Sequence, residues 1–297
     1  MSSIADWIHL FRAGNCLTGF VGVFLGATLS LNGMPNGDEA IITFLLALSV
    51  YSFMASWNAL NDYIDVEIDK MNRPDRPLPA GRISLRTAKF VISLMMIVSF
   101  SSLIGAALIA SNMNEDFSNW YPTIIIWFMA IFLLVNYESI GSYTLGLKEK
   151  GLPGNLAISL SVGLVALFGA AGVFDPLNLK AITLFFIGTL FNFAREIVKD
   201  VEDMEGDEGR NTYAMRVGAE KARLTAWLIL LLTLIVIIAP FALGVFPQIH
   251  LLLVTPALFT LMGVKKHIVL AEDTAASKKI KFSMILTILG LLASVLI

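Results

Sequence analysis

Long apolar runs alternate with short polar segments along most of the 297-residue chain. A helix that crosses a bilayer needs about 20 mostly apolar residues. Nine stretches meet that requirement: 13–32, 39–61, 88–111, 119–137, 153–173, 179–197, 224–244, 249–264 and 280–297. Pro240 lies in the seventh stretch and Pro256 in the short eighth, so kinks are expected there. Because lipid offers no partner to an unpaired backbone group, the pattern predicts an all-α, multi-pass membrane bundle of nine transmembrane helices.

The composition is that of a membrane protein. Hydrophobic residues make up 57% of the chain and charged residues 15%, with a mean hydropathy of +0.77. Soluble domains are about 45–50% apolar and about 25% charged, so the outer surface of this protein must face lipid. A single cysteine, Cys16, and three scattered histidines argue against disulfides and zinc clusters. Disordered, fibrous and disulfide-stabilised classes are excluded, and we expect membrane lipid around the chain and no nucleic-acid partner.

Basic residues are distributed unevenly among the predicted loops. The N-terminal segment and the segments between and flanking stretches 2–3, 4–5, 6–7 and 8–9 hold 20 of the 21 lysines and arginines, and only Lys180 falls on the other side. Inner loops of membrane proteins carry such an excess, which predicts a cytoplasmic N-terminus and an external C-terminus. Two inner segments, 58–89 and 195–223, hold 13 of the 23 acids and 12 of the 21 bases. We call them the first and second acidic segments, and function is expected there.

Each acidic segment places carboxylates along one face of a helix. The first continues the second predicted span without a helix breaker until Pro74. In it, Asn61, Asp65 and Asp69 fall within roughly 80° of one face, with Asp62 on its shoulder. In the second segment, four carboxylates fall within about 60° of one face if the helix extends that far: Glu196, Asp200, Asp203 and Asp207.

Carboxylates stacked four residues apart repel each other unless something neutralises them. For one segment alone, a solvated helix end is an equally good interpretation, but two such faces growing out of membrane spans favour a shared ligand. Oxygen-only ligands suit a hard cation, Mg²⁺ or Mn²⁺, and Mg²⁺ completes its shell with water and substrate phosphate. The two segments therefore predict a diphosphate held between them through divalent metal ions.

Basic side chains surround these carboxylates: Arg73, Arg76, Arg82, Arg195, Lys199 and Arg210. Cations beside a carboxylate–metal site suit an anionic ligand, although the excess of basic residues in inner loops predicts them regardless of chemistry. Prolines at 74, 77 and 79 stiffen the backbone around Arg73 and Arg76. This rigidity favours a ligand-binding role for that pair.

Three segments carry a family resemblance. The run Asn61-Asp62-x-x-Asp65-x-x-x-Asp69, with its tail Asn72-Arg73-Pro-x-Arg76-Pro-Leu-Pro-x-Gly-Arg82, closely resembles the first signature of the UbiA-type intramembrane prenyltransferases. The run Asp200-x-x-Asp203-x-x-x-Asp207 resembles their second signature, and Leu147-Lys148-x-x-Gly-Leu-Pro-Gly154-Asn155 is similar to a further family segment. The segments come in the family's order, and the resemblance covers essentially the whole chain. It implies one integral-membrane prenyltransferase domain over residues 1–297, with its active site facing the cytoplasm.

The resemblance also implies roles for individual residues. One Mg²⁺ would be bound by Asn61, Asp65 and Asp69, and a second by Asp200, Asp203 and Asp207. Asp62 would be a further candidate metal ligand, and Asn155 would support substrate binding. The diphosphate of an isoprenyl donor would be held by Arg73, Arg76 and Lys148. Turnover is expected to depend most on Asp65 and Asp200.

The second acidic segment looks most like the archaeal branch that makes digeranylgeranylglyceryl phosphate, which implies a geranylgeranyl diphosphate donor and a phosphorylated lipid acceptor. Arg195 and Lys199 lie beside the carboxylate face rather than on it, which suits a second anion such as the acceptor's phosphate. An aromatic acceptor, as in quinone, tocopherol or chlorophyll synthesis, is the alternative.

Two other functional classes share some of these features. The CDP-alcohol phosphotransferases also use two metals and an Asp-x-x-x-Asp helix, but their Asp-Gly and Ala-Arg pairs are missing near either acidic segment. A cation transporter would place acids at mid-span, on helices broken by glycine or proline in matching halves. Here the acids lie at the inner ends of the spans and merge with basic loops, which favours a diphosphate.

Overall fold

The computed structural model describes residues 2–113, 115–138, 143–204 and 211–297, and within them the chain is helical with no strand. The α-helices are α1 (Ile4–Phe11), α2 (Ala13–Leu31), α3 (Gly37–Ile64), α4 (Val66–Asn72), α5 (Leu85–Ala110), α6 (Tyr121–Tyr137), α7 (Leu152–Gly172), α8 (Leu179–Glu202), α9 (Tyr213–Val217), α10 (Ala219–Ala242), α11 (Leu251–Met262), α12 (Val264–Val269) and α13 (Asp273–Leu296). Short 3₁₀ turns cover Phe117–Asn119, Leu147–Glu149 and Gln248–His250.

Nine helical stretches of the described chain are long and apolar enough to cross a bilayer, which confirms the predicted number. They are α2, α3, α5, the stretch Phe117–Tyr137, α7, α8, α10, the stretch Gln248–Val269, and α13. The helices run through Pro240 and Pro256. The eighth span is instead interrupted at Gly263, between α11 and α12.

Small residues bring the central helices close together. On α2, Gly26 lies against the backbone carbonyl of Ala166 on α7, and on α7, Gly169 lies against the carbonyl of Val23 on α2. A Cβ at either glycine would overlap that oxygen. Membrane helices associate largely through such close packing, because lipid tails are as apolar as the side chains they would otherwise bury. The α2–α7 pair therefore forms a tight seam, with α3 packed against α2 and α8 packed against α7.

Large apolar side chains on the outer helices point away from the protein. On α5, Phe90 is 66% exposed and Ile97 62% exposed, and on α11 Phe259 is 75% exposed. In water such a surface would aggregate, whereas in a bilayer it meets lipid chains. The outer face of the bundle is thus the lipid-facing surface that the composition requires.

The N-terminal helix α1 is tied to the loop that follows α4. Ser3 and Asp6 form a reciprocal cap at its start, and the Arg82 Nε atom donates to Asp6 Oδ1 at 2.6 Å. The Ser3 backbone N–H, with Arg82 as a second donor, lowers the pKa of Asp6 to about 2. Arg82 also donates to the carbonyl of Asp75, so α1 braces the proline-rich tail of the first acidic segment.

Candidate active site

The first acidic segment is helical as far as Asn72, with one interruption. The segment leaves helical geometry at Asp65 (φ −83°, ψ 6°), where α3 ends and α4 begins. The prediction of an unbroken helix to Pro74 is therefore wrong. The i to i−4 register nevertheless continues, because the N–H of Asp65 donates to Asn61 O at 3.0 Å and that of Asp69 to Asp65 O at 2.8 Å.

The predicted carboxylate face divides into two groups of residues. Arg76 lies at the centre of the first group and contacts both of its carboxylates. Its Nη1 atom lies 3.0 Å from Asp62 Oδ1 and 2.6 Å from Asp69 Oδ2. Arg12, at the junction of α1 and α2, adds a second contact to Asp62 Oδ1 at 2.8 Å. Asp62 and Asp69 are 3% and 5% exposed. Such buried carboxylates require close cationic partners, and here arginines supply them.

Lys148 organises the second group. Its Nζ atom lies 2.7 Å from Asp65 Oδ2 and 3.7 Å from Glu138 Oε2. Glu138, just beyond α6, is 1% exposed and accepts a hydrogen bond of 2.8 Å from Asn61 Nδ2. The predicted residues Asn61, Asp65 and Lys148 therefore come together around a carboxylate that the sequence analysis did not identify.

The second acidic segment contacts the arginine- and proline-containing tail of the first acidic segment. Helix α8 ends at Glu202, and Asp203, which caps it, lies 3.7 Å from Arg73 Nη2. One turn earlier, Asp200 Oδ2 accepts a hydrogen bond of 2.8 Å from Asn155 Nδ2 on α7. The two segments are thus adjacent, as predicted. Of the predicted residues, Asp207 lies outside the described part of the chain, as does Arg210.

A cavity of about 430 Å³ extends from this ionic network into the bundle. Asn61 and Glu138 line the cavity and also belong to the ionic network, so they connect the cavity to the network. Of the other predicted residues, Arg195 and Lys199 lie on its wall. Apolar side chains of α3, α6 and α7, including Phe53, form much of the remainder. This combination of a polar end and an apolar interior suits a ligand with an anionic head and a hydrocarbon tail.

Sequence reasoning missed several polar residues of this site: Arg12, Glu138, Asn192 and Lys281. Glu138 could have been recognised from the sequence, because an acid directly at the inner end of an apolar span is costly unless it is paired. No sequence feature marks the other three residues as part of the site. Their importance arises only because α2, α8 and α13 meet around one cavity.

The donor set is chemically suited to Mg²⁺, since it consists of carboxylate and amide oxygens. Within the described residues, no three Asp, Glu, His or Cys side chains gather as a ready-made metal cluster. The carboxylates of the first segment are instead neutralised by Arg12, Arg76 and Lys148. The site therefore combines oxygen ligands with cations that suit the oxygens of a phosphate group.

Known proteins of one family resemble this chain. A model of the UbiA prenyltransferase family matches residues 19–289. Digeranylgeranylglyceryl phosphate synthase of Methanosarcina mazei is 33% identical over an alignment of 307 positions, which covers 99% of each chain. A solved structure of a digeranylgeranylglyceryl phosphate synthase in membranes is 27% identical, with a TM-score of 0.73 and 98% of each chain covered.

A second solved structure is similar in fold alone. It is a UbiA homolog from Archaeoglobus fulgidus bound to GPP and Mg²⁺, 16% identical, with a TM-score of 0.61 over 98% of this chain and 99% of that one. The matched family region includes both acidic segments and most of the nine spans, with the cavity between them. The chain belongs to the UbiA prenyltransferase family.

Proposed function

We propose that this prenyltransferase transfers a geranylgeranyl group from geranylgeranyl diphosphate to the free hydroxyl of geranylgeranylglyceryl phosphate, a step of archaeal ether-lipid synthesis. The observation that carries the proposal is the position of the ionic network, at the end of an apolar cavity where both acidic segments meet. The relatives named as digeranylgeranylglyceryl phosphate synthases support this choice of acceptor.

The donor diphosphate would be held where the two acidic segments approach each other. Arg73, Arg76 and Lys148 supply its cationic contacts, and Asn155 keeps Asp200 in place. Mg²⁺ ions would be held by Asn61, Asp62, Asp65 and Asp69 on one side and by Asp200, Asp203 and Asp207 on the other; Mn²⁺ has the same ligand preference. Bound there, a divalent metal neutralises the negative charge that gathers on the departing diphosphate.

The chain's own residues would favour ionisation of the allylic diphosphate over the intact substrate. Cations aimed at the leaving group stabilise the transition state more than the ground state. The apolar cavity would hold the isoprenoid tail and exclude water, so the acceptor hydroxyl is the nucleophile available to the allylic centre. Phe53 and Trp57 stack on each other along this wall, with ring centroids 6.0 Å apart.

The acceptor would lie beside α8. Arg195 and Lys199 line the cavity, separate from the arginines of the first acidic segment. An acceptor with its own phosphate requires such a second cationic region, whereas an aromatic acid would need one cation only. The aromatic acceptors of quinone, tocopherol or chlorophyll synthesis are the alternative, and family membership disfavours a cation transporter. The whole chain, 1–297, would act as one domain with its active site facing the cytoplasm.

Turnover by the purified chain in vesicles of phosphatidylcholine, which carry no net charge, tests the proposal. The assay supplies geranylgeranyl diphosphate and Mg²⁺ with one acceptor at a time: geranylgeranylglyceryl phosphate, 4-hydroxybenzoate, homogentisate or dihydroxynaphthoate. We expect product with the first acceptor alone and complete loss of turnover in excess EDTA. Efficient prenylation of an aromatic acceptor would replace the acceptor assignment, and full activity in EDTA would overturn the metal assignment. Ion flux without prenyl transfer would favour the transporter.

A further inference from the structure

The last helix supplies a cation to the cavity. Lys281 on α13 lines the wall together with Ile280, Met284 and Ile288, so this part of α13 faces the same space as Arg195 on α8. Among the described residues, Lys281 has no hydrogen bond or ion pair to the protein. Lys281 is exposed, so its ammonium is free to contact an anionic ligand that enters the cavity.

Glu196 joins the two cations of α8. Its carboxylate lies 3.3 Å from Arg195 Nη1 and 3.1 Å from Lys199 Nζ, and its side chain is 20% exposed. Like its two partners, it lines the cavity. With Lys281, which lines the same cavity, these side chains comprise three cations and one carboxylate, a net charge of +2. That charge matches a phosphate monoester, which carries close to two negative charges at neutral pH.

We propose that Arg195, Lys199 and Lys281 bind the phosphate of the acceptor, and that Glu196 is an internal competitor which this phosphate displaces. The inference rests on the proposed function, because that function gives the acceptor its phosphate. Displacing a carboxylate from two cations favours a doubly charged phosphate over a singly charged carboxylate. Glu196 thereby discriminates against weaker anions, as specific sites do when they penalise the wrong ligand.

Lys281→Ala tests the cationic part of the site, and Lys278→Ala is its matched control. Lys278 is exposed and on the same helix, like Lys281, but it lies outside the cavity wall. Both variants are assayed in neutral phosphatidylcholine vesicles with geranylgeranylglyceryl phosphate and with its dephosphorylated alcohol. We expect Lys281→Ala to raise the KM for the phosphate acceptor about 10-fold, in line with loss of a charge-assisted hydrogen bond. The KM for the donor and for the alcohol should stay unchanged, and Lys278→Ala should resemble the wild type.

Glu196→Gln tests the competitor. Removing its charge frees Arg195 and Lys199, so the KM for geranylgeranylglyceryl phosphate should fall about 3-fold or more, by the gain expected when a competing ion pair is removed. Lys281→Arg retains the positive charge and is expected to keep a KM near that of the wild type. Thermal unfolding midpoints show whether each variant folds; if Lys281→Ala does not, Lys281→Gln and Glu196→Gln carry the test.

Several outcomes would overturn the inference. They are equal effects of Lys281→Ala and Lys278→Ala, equal losses with the phosphate and the alcohol, a rise in the donor KM, or a higher acceptor KM in Glu196→Gln. An effect of Lys281→Ala seen only in vesicles that contain phosphatidylglycerol would assign the cluster to bulk anionic lipid instead. If the wild type fails to use geranylgeranylglyceryl phosphate at all, the proposed function fails. If it uses that acceptor and Lys281→Ala has no effect, only this inference fails.

Discussion

Two individual carboxylates, one between α3 and α4 and one in the last turn of α8, are expected to determine turnover. Asp65 lies at the interruption between α3 and α4 and contacts Lys148, and Asp200 contacts Asn155. Replacing either with asparagine preserves its shape and removes its charge. We expect kcat to fall about 100-fold or more, from the several kcal/mol that metal-assisted charge stabilisation contributes. Steady-state kinetics with geranylgeranyl diphosphate and Mg²⁺ measure this loss.

Glu67→Gln is the matched control for these variants. Glu67 lies on α4 next to the site, but its side chain is 76% exposed and pairs with Lys70 at 2.7 Å. Such an exposed pair contributes little to stability or binding, so turnover should stay near that of the wild type. Comparable losses in Glu67→Gln and Asp65→Asn would show that general charge loss in the first acidic segment, rather than the position of Asp65, determines activity.

The sequence identifies residues of the site better than it identifies their partners. Helical periodicity correctly brings Asn61 and Asp65 to one environment, because their spacing is local. It cannot reveal that Asn61 contacts Glu138, 77 residues away, or that Asp62 contacts Arg12, 50 residues away. Those contacts depend on how α2, α3 and α6 pack. For the same reason Asp69 is grouped with Asp62 through Arg76, although the helical wheel grouped it with Asp65.

At the scale of elements, the seam between α2 and α7 is expected to limit stability. A methyl group at Gly26 would overlap the carbonyl oxygen of Ala166, and backbone atoms can move little. We therefore expect Gly26→Ala to lower the thermal unfolding midpoint by several degrees, since overpacking costs about 1–3 kcal/mol. Thermal unfolding of the detergent-solubilised protein measures the effect.

Gly14→Ala provides the control on the same helix. A methyl group at Gly14 would have no neighbouring atom within 4 Å, and alanine is the better helix former by about 1 kcal/mol. The midpoint of this variant should match or exceed that of the wild type. A similar loss in both variants would mean that glycine flexibility, rather than close helix packing, stabilises α2.

Helix existence is easier to predict than helix ends. Bilayer thickness imposes a length on every span, and all nine predicted stretches have a helical counterpart. The largest difference is at α13, which begins at Asp273 instead of residue 280. Hydropathy places Lys278 and Lys279 outside the apolar stretch and Lys281 at its edge, yet the helix continues through all three.

At the scale of the whole molecule, the distribution of charge predicts how the protein is oriented in the membrane. Lys150, in the loop before α7, lies on the predicted inner side, which holds 20 of the 21 basic residues. Asn112 follows α5 on the opposite side. Lysine and arginine are retained on the cytoplasmic side during insertion. An odd number of spans then places the N-terminus inside and the C-terminus outside.

Labelling of single introduced cysteines by a membrane-impermeant maleimide in intact cells tests this orientation. Both Asn112 and Lys150 are exposed, and the native Cys16 is buried, so background labelling should be low. We expect Asn112→Cys to react in intact cells, and Lys150→Cys to react only after the membrane is permeabilised. The reverse pattern would place the ionic network outside the cell, away from any cytoplasmic supply of prenyl diphosphate. It would contradict a cytoplasmic active site while leaving the fold and the family assignment intact.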